Sequence, residues 1–247
     1  NTVDGYQQTK HALEFVIHDK MLRAVVGDRR PDNTDNAAIP VKPDSVWMHW
    51  PIHREIPPRK HVVAINTYTG KEMWRLDSAD TSGMMPTTLA AAADRVYFHN
   101  GREIVCVNLQ SGEEAWRSPR AVNQRRPSWS APTLVVKDNV LLCGDRDTKT
   151  VHPGTDADLD EPQWVINSAG GLAPIGKITA FNALDGKQLW EAPCKEVYNA
   201  PVDVLVADGL VWSGNLVRKG EAGITKGLDL HTGEVKRERS KDSAFFK

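Results

Sequence analysis

Cysteine is scarce in this chain of 247 residues: Cys106, Cys143 and Cys194 are scattered and odd in number, so they imply no disulfide framework. The redox compartment is left open. A surplus of one charge is missing too. Lys plus Arg come to 31 and Asp plus Glu to 32, so no global field draws nucleic acid or anionic lipid, and a nucleic-acid partner is not expected. Long apolar runs are also absent: Leu89–Ala93 and Val62–Ile65 are a fraction of the roughly 20 residues a membrane helix needs, so no membrane span is expected. Neither an initiator Met nor a basic, apolar and small leader opens the sequence, which starts Asn1, Thr2, Val3, Asp4. It reads as a processed chain or an excised piece of something longer.

What the chain holds in generous supply is Trp, eight residues, and Gly, 18 residues, and the two recur at a fixed offset. Four segments align without gaps: Val62–Arg75, Ile104–Arg117, Ile178–Glu191 and the weaker Thr225–Glu238. Asn66, Asn108, Asn182 and Asp229 fill one column, and Gly70, Gly112, Gly186 and Gly233 another. A third holds Trp74, Trp116 and Trp190, with Arg237 as the departure. Each copy reads as strand, tight turn, strand, because Gly supplies the positive φ that closes a hairpin and Asx or Ser/Thr caps it. Upstream of each copy lies a second hairpin, its turn marked by Asp19-Lys20, Asp94-Arg95, Asp138-Asn139 or Asp208-Gly209 between apolar stretches. With the extra segments set aside, about 44 residues remain per unit, inside the roughly 40 to 45 of a four-stranded propeller blade.

The expectation is therefore an all-β fold, a β-propeller of four-stranded antiparallel blades. One propeller segment spans 1–247, with blades at about 11–78, 84–118, 129–193 and 198–240 and insertions at about 28–60 and 145–176. A helical solenoid is excluded, since the repeats are rich in Val, Ile, Thr and aromatics with period-two alternation.

Gly-Lys-x-x-Trp-Arg after an Asn or Asp column resembles the PQQ-like repeat, found in eight-bladed quinoprotein dehydrogenases and in the propeller lipoprotein that assists outer-membrane assembly. The resemblance covers nearly the whole chain and implies that Trp74, Trp116 and Trp190 pack between neighbouring blades. Family members close rings of seven or eight blades, so these four imply part of a larger ring, completed by the remainder of the propeller or by a second copy. The family's dehydrogenases also carry a vicinal Cys-Cys pair and a metal site beside the cofactor. No two cysteines adjoin here.

Alternating strand direction sorts the connections. The Asp-marked and Gly turns fall on one face; the second connections and the links between blades fall on the other, which is therefore the elaborated one. The two insertions are expected to share that face and most of the cleft volume. The first carries Trp47, His49, Trp50 and His53, an aromatic and imidazole surface for a sugar or peptide, or else the insert's own small apolar core. A metal pair at His49 and His53 needs a helix, and Pro51 between them opposes one. The second carries Asp156, Asp158, Asp160 and Glu161, then Trp164. An EF-hand starting at Asp156 would want Gly at Glu161 and Glu at Asn167, so a solvated acidic loop is the reading and no metal site is assigned. The links supply Arg125, Arg126 and Trp129, which can grip a carboxylate or phosphate or serve in exposed salt bridges, and then Tyr198 and Asn199. His18, His61, His99 and His231 read as structural. Gly70, Trp74, Gly112, Trp116, Gly186, Trp190 and Gly233 read as positions that hold the repeat, and no catalytic residue is assigned.

Function reads as a non-catalytic binding or scaffold module that recognises a protein or carbohydrate ligand with its insertion-bearing face. The alternative is a fragment of a quinoprotein-like dehydrogenase or a carbohydrate-active propeller enzyme. For that alternative the resemblance implies PQQ and calcium, although no specific residue supports either. It also implies a periplasmic or extracellular setting.

Overall fold

A computed structural model describes residues 11–27, 60–122, 132–146, 175–195, 202–214 and 226–238. Within them sixteen strands build four antiparallel sheets of four. The first sheet holds β1 (His11–His18), β2 (Met21–Gly27), β3 (Lys60–Asn66) and β4 (Glu72–Leu76). The second holds β5 (Ala90–Ala92), β6 (Arg95–His99), β7 (Glu103–Asn108) and β8 (Glu114–Pro119). The third holds β9 (Thr133–Lys137), β10 (Val140–Arg146), β11 (Ile175–Asn182) and β12 (Gln188–Lys195). The fourth holds β13 (Asp203–Ala207), β14 (Leu210–Gly214), β15 (Lys226–Asp229) and β16 (Val235–Glu238). A short helix α1 (Ala79–Gly83) and a 3-10 turn (Pro86–Thr88) link the first two sheets. Strands keep sequence order across every sheet, and the first strands lie side by side, β1 by β5, β5 by β9 and β9 by β13. The chain is a β-propeller whose blades wind outward from an axis.

Burial follows from that geometry. The middle strands are buried on both faces, as in Val62, Val63 and Ala64 of β3 or Ile104, Val105 and Cys106 of β7, which is why they read as continuous apolar runs. Outer strands alternate: in β8, Trp116 and Ser118 are buried while their neighbours are exposed. Three of the four apolar clusters are seams between blades. Met21, Val25 and Trp74 meet Val96, Phe98 and Leu109; Tyr97 and Trp116 meet Leu141, Phe181 and Ala183; Val140, Ile178 and Trp190 meet Val211, Leu228 and Leu230.

The first connection of three blades is a two-residue turn with both central residues at positive φ: Asp19 and Lys20, Asp138 and Asn139, Asp208 and Gly209. In the second blade the turn falls one residue earlier than the sequence suggests. Ala93 takes the positive φ, Asp94 follows it in the turn, and Arg95 already begins β6, pairing with Ala92. The third connection repeats without change. Gly70, Gly112, Gly186 and Gly233 donate to the carbonyls of Asn66, Asn108, Asn182 and Asp229 at 2.8–2.9 Å, and the side chain of that Asx residue caps the turn. Asn66 Oδ1 accepts from Tyr68 N at 2.9 Å and Thr69 N at 3.0 Å; Asp229 Oδ1 accepts from His231 N at 3.0 Å and Thr232 N at 2.9 Å.

A β-bulge interrupts the pairing of the third and fourth strands at one column in all four blades. It leaves Met73, Ala115, Leu189 and Lys236 without a cross-strand partner, which accounts for Met73 and Leu189 being half exposed despite their apolar side chains. In three blades the next residue is a Trp that returns to the buried face; in the fourth it is Arg237, which is exposed.

Candidate functional site

The repeat residues form a row across each blade. Register pairs Arg23 with Ala64 and Ala64 with Trp74. The later rows are Tyr97, Cys106, Trp116; Leu142, Ala180, Trp190; and Trp212, Gly227, Arg237. The first three rows lie against the Gly turn of the next blade. A Cβ added at Gly112 would stand 2.8 Å from the Trp74 ring, one at Gly186 2.5 Å from Trp116, and one at Gly233 2.7 Å from Trp190. Each indole also donates 3.0 Å to a turn carbonyl of that blade: Trp74 Nε1 to Leu109 O, Trp116 Nε1 to Ala183 O and Trp190 Nε1 to Leu230 O. Glycine is required here twice over, for its positive φ and for the ring seated on its Cα.

Two members of these rows were not legible as a pattern. The guanidinium of fully buried Arg23 donates to Leu109 O at 3.3 Å and to Met21 O at 3.0 Å, as well as to His18 O. Tyr97 Oη donates to Ala183 O at 3.2 Å. Each therefore shares its acceptor with the Trp of its own row. Burial lowers the basicity of Arg23 and raises the Tyr97 phenol well above its ordinary range. The only sequence signal for Arg23 was a lone charge inside an apolar strand.

At the opposite end, where the longer connections leave, the second blade alone has its second connection, residues 100–102, among the described residues. Arg117 is held by three carboxylates, Asp80 at 3.2 Å, Glu103 at 2.9 Å and Glu114 at 2.5 Å. The hydrogen bond from Arg117 holds Glu114 below the usual carboxylate range. A guanidinium so engaged is a strut rather than an anion receptor. Buried His99 accepts from Gly101 N at Nδ1, 2.9 Å, and donates from Nε2 to Arg120 O, 2.7 Å, fixing its tautomer. Arg120 in turn reaches Lys177 O of the third blade at 3.3 Å. His18 Nε2 lies 3.0 Å from Ala93 O at the other end of the seam between the first two blades.

Trp47, His49, Trp50, His53, Arg125, Arg126, Trp129, Trp164, Tyr198 and Asn199 all lie outside the described residues. Among the described residues no three His, Cys, Asp or Glu side chains gather as a metal site. Clefts there include the following two. One, of about 400 Å³, sits at the turn end of the seam between the second and third blades, where Ala92, Ala93 and Ala183 leave space beside Tyr97. The other, of about 550 Å³, runs along the flank of the fourth blade past Asp208, Leu210, Trp212 and Arg237. Neither is at the insertion-bearing end, and the insertions expected to share most of the cleft volume lie outside the described residues. The two match by column: the blade-two lining Ala92, Ala93, Arg95 and Tyr97 corresponds to Ala207, Asp208, Leu210 and Trp212.

No family model matches the chain, and no curated protein does. Solved structures match its fold. BamB from Moraxella catarrhalis aligns at 15% identity and TM-score 0.44 over 86% of this chain and 48% of its own. Quinohemoprotein alcohol dehydrogenase from Comamonas testosteroni aligns at 14% and 0.48 over 95% and 35%. Pyrococcus horikoshii acylaminoacyl peptidase aligns at 8% and 0.55 over 93% and 32%. The chain thus spans about half the BamB length and less of the others. The fold is shared at identities that carry no chemistry. Quinohemoprotein alcohol dehydrogenases and BamB stand among the structural neighbours.

Proposed function

We propose that the chain is a non-catalytic binding or scaffold module that recognises a protein or carbohydrate ligand with its insertion-bearing end, in the periplasm or outside the cell. One observation carries this reading: the first and third connections of all four blades are tight turns, whereas residues 28–59, 147–174 and 215–225 are all spent on second connections. A scaffold that keeps one end minimal and elaborates the other has its variable surface there. The balanced charge favours protein or carbohydrate over nucleic acid. No helix among the described residues is long and apolar enough to cross a membrane.

The test has two arms. After incubation with PQQ and calcium and removal of free quinone, absorbance and dye-linked alcohol oxidation are expected to show neither retained chromophore nor turnover. Stoichiometric retention with turnover would replace the module by a quinoprotein fragment. On a glycan and peptide array, binding is expected that disappears when residues 28–59 are replaced by residues 100–102, the short connection from β6 to β7 in the second blade. Binding that survives the replacement moves the site elsewhere.

A further inference from the structure

The three seams within the chain define what each side of a seam contributes, and the two outermost flanks carry one side each. On the receiving side, the first strand, with the residue leading into it in the second blade, offers two alternate apolar residues: Leu89 and Ala91 to the first seam, Leu134 and Val136 to the second, Val204 and Val206 to the third. The same columns in β1 are Phe15 and Ile17, which are 61% and 65% exposed. The receiving turn offers the Cα of Gly112, Gly186 or Gly233 and the carbonyl three residues before it. In the first blade these are Gly70, with φ +68 and nothing within 4 Å of its Cβ position, and Thr67, held by the same bond from its N–H to the neighbouring turn that Leu109, Ala183 and Leu230 make. Deeper on this flank Ala24, Val26, Val63 and Ile65 are already buried, so its open part is the inner strand and the turn end.

The donating side is complete on the fourth blade. Val16 and Val135 pack into their seams from the strand-one column that Leu205 holds here, and Leu205 is 56% exposed. The donor row follows, Trp212 lying over Gly227 and then Arg237, with the cleft of about 550 Å³ beside it. In the first blade the second strand supplies a guanidinium and the fourth an indole, and both donate to Leu109 O. The fourth blade holds the same two donors with their strands exchanged. Arg237 thus ceases to be a defect of the repeat: with Trp212 it restores the donor pair.

We propose that these flanks are the two halves of one further seam, and that a second copy of this chain fills each. Phe15, Ile17, Thr67 O and Gly70 of one copy receive Leu205, Trp212 and Arg237 of the other, and the reverse contact closes the pair. Both halves are present on this one chain, so a second copy offers each flank its complement. A head-to-tail contact that repeats twice and closes leaves no donor row or Gly seat open, whereas one that fails to close would continue into fibres. This interface is separate from whatever the insertion-bearing end binds.

Sedimentation velocity on the full chain from 1 to 200 µM tests it. The expected species at the upper end has about twice the 27.4 kDa chain mass. Gly70→Asn keeps a residue that tolerates positive φ but fills the seat, and Trp212→Ala with Arg237→Glu removes the donors. Each variant is expected to keep the wild-type circular dichroism and to weaken the dimer about tenfold or more. Mixing the two variants restores one intact seam, so a mixed dimer is expected to return. A wild-type chain that stays monomeric across the range, or a mixture that stays as weak as its components, overturns the proposal. Folding of the variants is read from the dichroism, and should Gly70→Asn misfold, Ile17→Glu serves as the receiving-side variant.

Discussion

Each Trp in the rows does two things that separate by substitution. Trp116→Ala removes the ring over Gly186 and its tilted contact with Tyr97, at 5.9 Å between centroids, and is expected to cost about 3–5 kcal/mol in urea unfolding. Substitution by Phe keeps most of the packing and deletes the donor. Ala183 O then still receives Tyr97 Oη, whereas Leu142, the matching residue beside Trp190, has no donor to offer Leu230 O. Trp190→Phe is therefore expected to cost about 1 kcal/mol more than Trp116→Phe, the difference between an unmet and a met buried carbonyl. Equal costs would mean the shared acceptor is irrelevant. At Cys106, burial pushes the thiol up to about 12, so only about one part in ten thousand is thiolate at pH 8. Labelling followed by peptide mass analysis is expected to leave Cys106 unmodified in the native chain and modified in urea.

At the scale of elements, the four Gly turns differ in one cap. Asn66, Asn108 and Asn182 cannot titrate, but Asp229 can, and the backbone N–H of Thr232, then that of His231, hold its carboxylate below the ordinary range. Because the folded value is depressed, the stabilisation is fully present above the unfolded value near about 4 and is lost as pH falls through the folded one. Asp229→Asn is expected to flatten that acid limb of the stability curve while leaving neutral stability nearly unchanged. The bulges give a second test. Met73→Lys and Leu189→Lys are expected to change stability by less than about 0.5 kcal/mol, since the bulged column is half exposed, whereas Val63→Lys, one strand inward and buried, abolishes folding. The hairpins and their Gly columns were legible in the sequence because turn chemistry recurs at fixed offsets. The bulges were not: the extra residue is present in every copy, so aligning the copies exposes no gap. Nor were the rows, because Arg23, Tyr97, Leu142 and Trp212 share a position and no chemistry. The turn at Ala93 was misplaced by one because Ala-Asp-Arg carries its turn signal on Asp94 while Ala93 takes the positive φ.

For the whole molecule, the propeller class was readable from repetition alone, since a four-stranded sheet with two buried faces needs neighbours. The candidate site was less readable. Its residues lie in connections, where no period constrains them, and those connections lie outside the described residues. The central claim is that the Trp of each of the first three blades seats on the next blade's glycine, which orders the blades and sends all second connections to one end. A double-mutant cycle on Trp116 and Gly186 measures this most directly. Gly186→Ala should cost about 1 kcal/mol for its φ of +74 plus about 1–3 kcal/mol for the clash with the ring. In the Trp116→Ala background the second part should vanish, and in the otherwise intact chain, held monomeric by dilution, Gly70→Ala, with nothing of its own chain within 4 Å of the Cβ position, should not show it. A Gly186→Ala cost that is the same in both backgrounds would contradict the account.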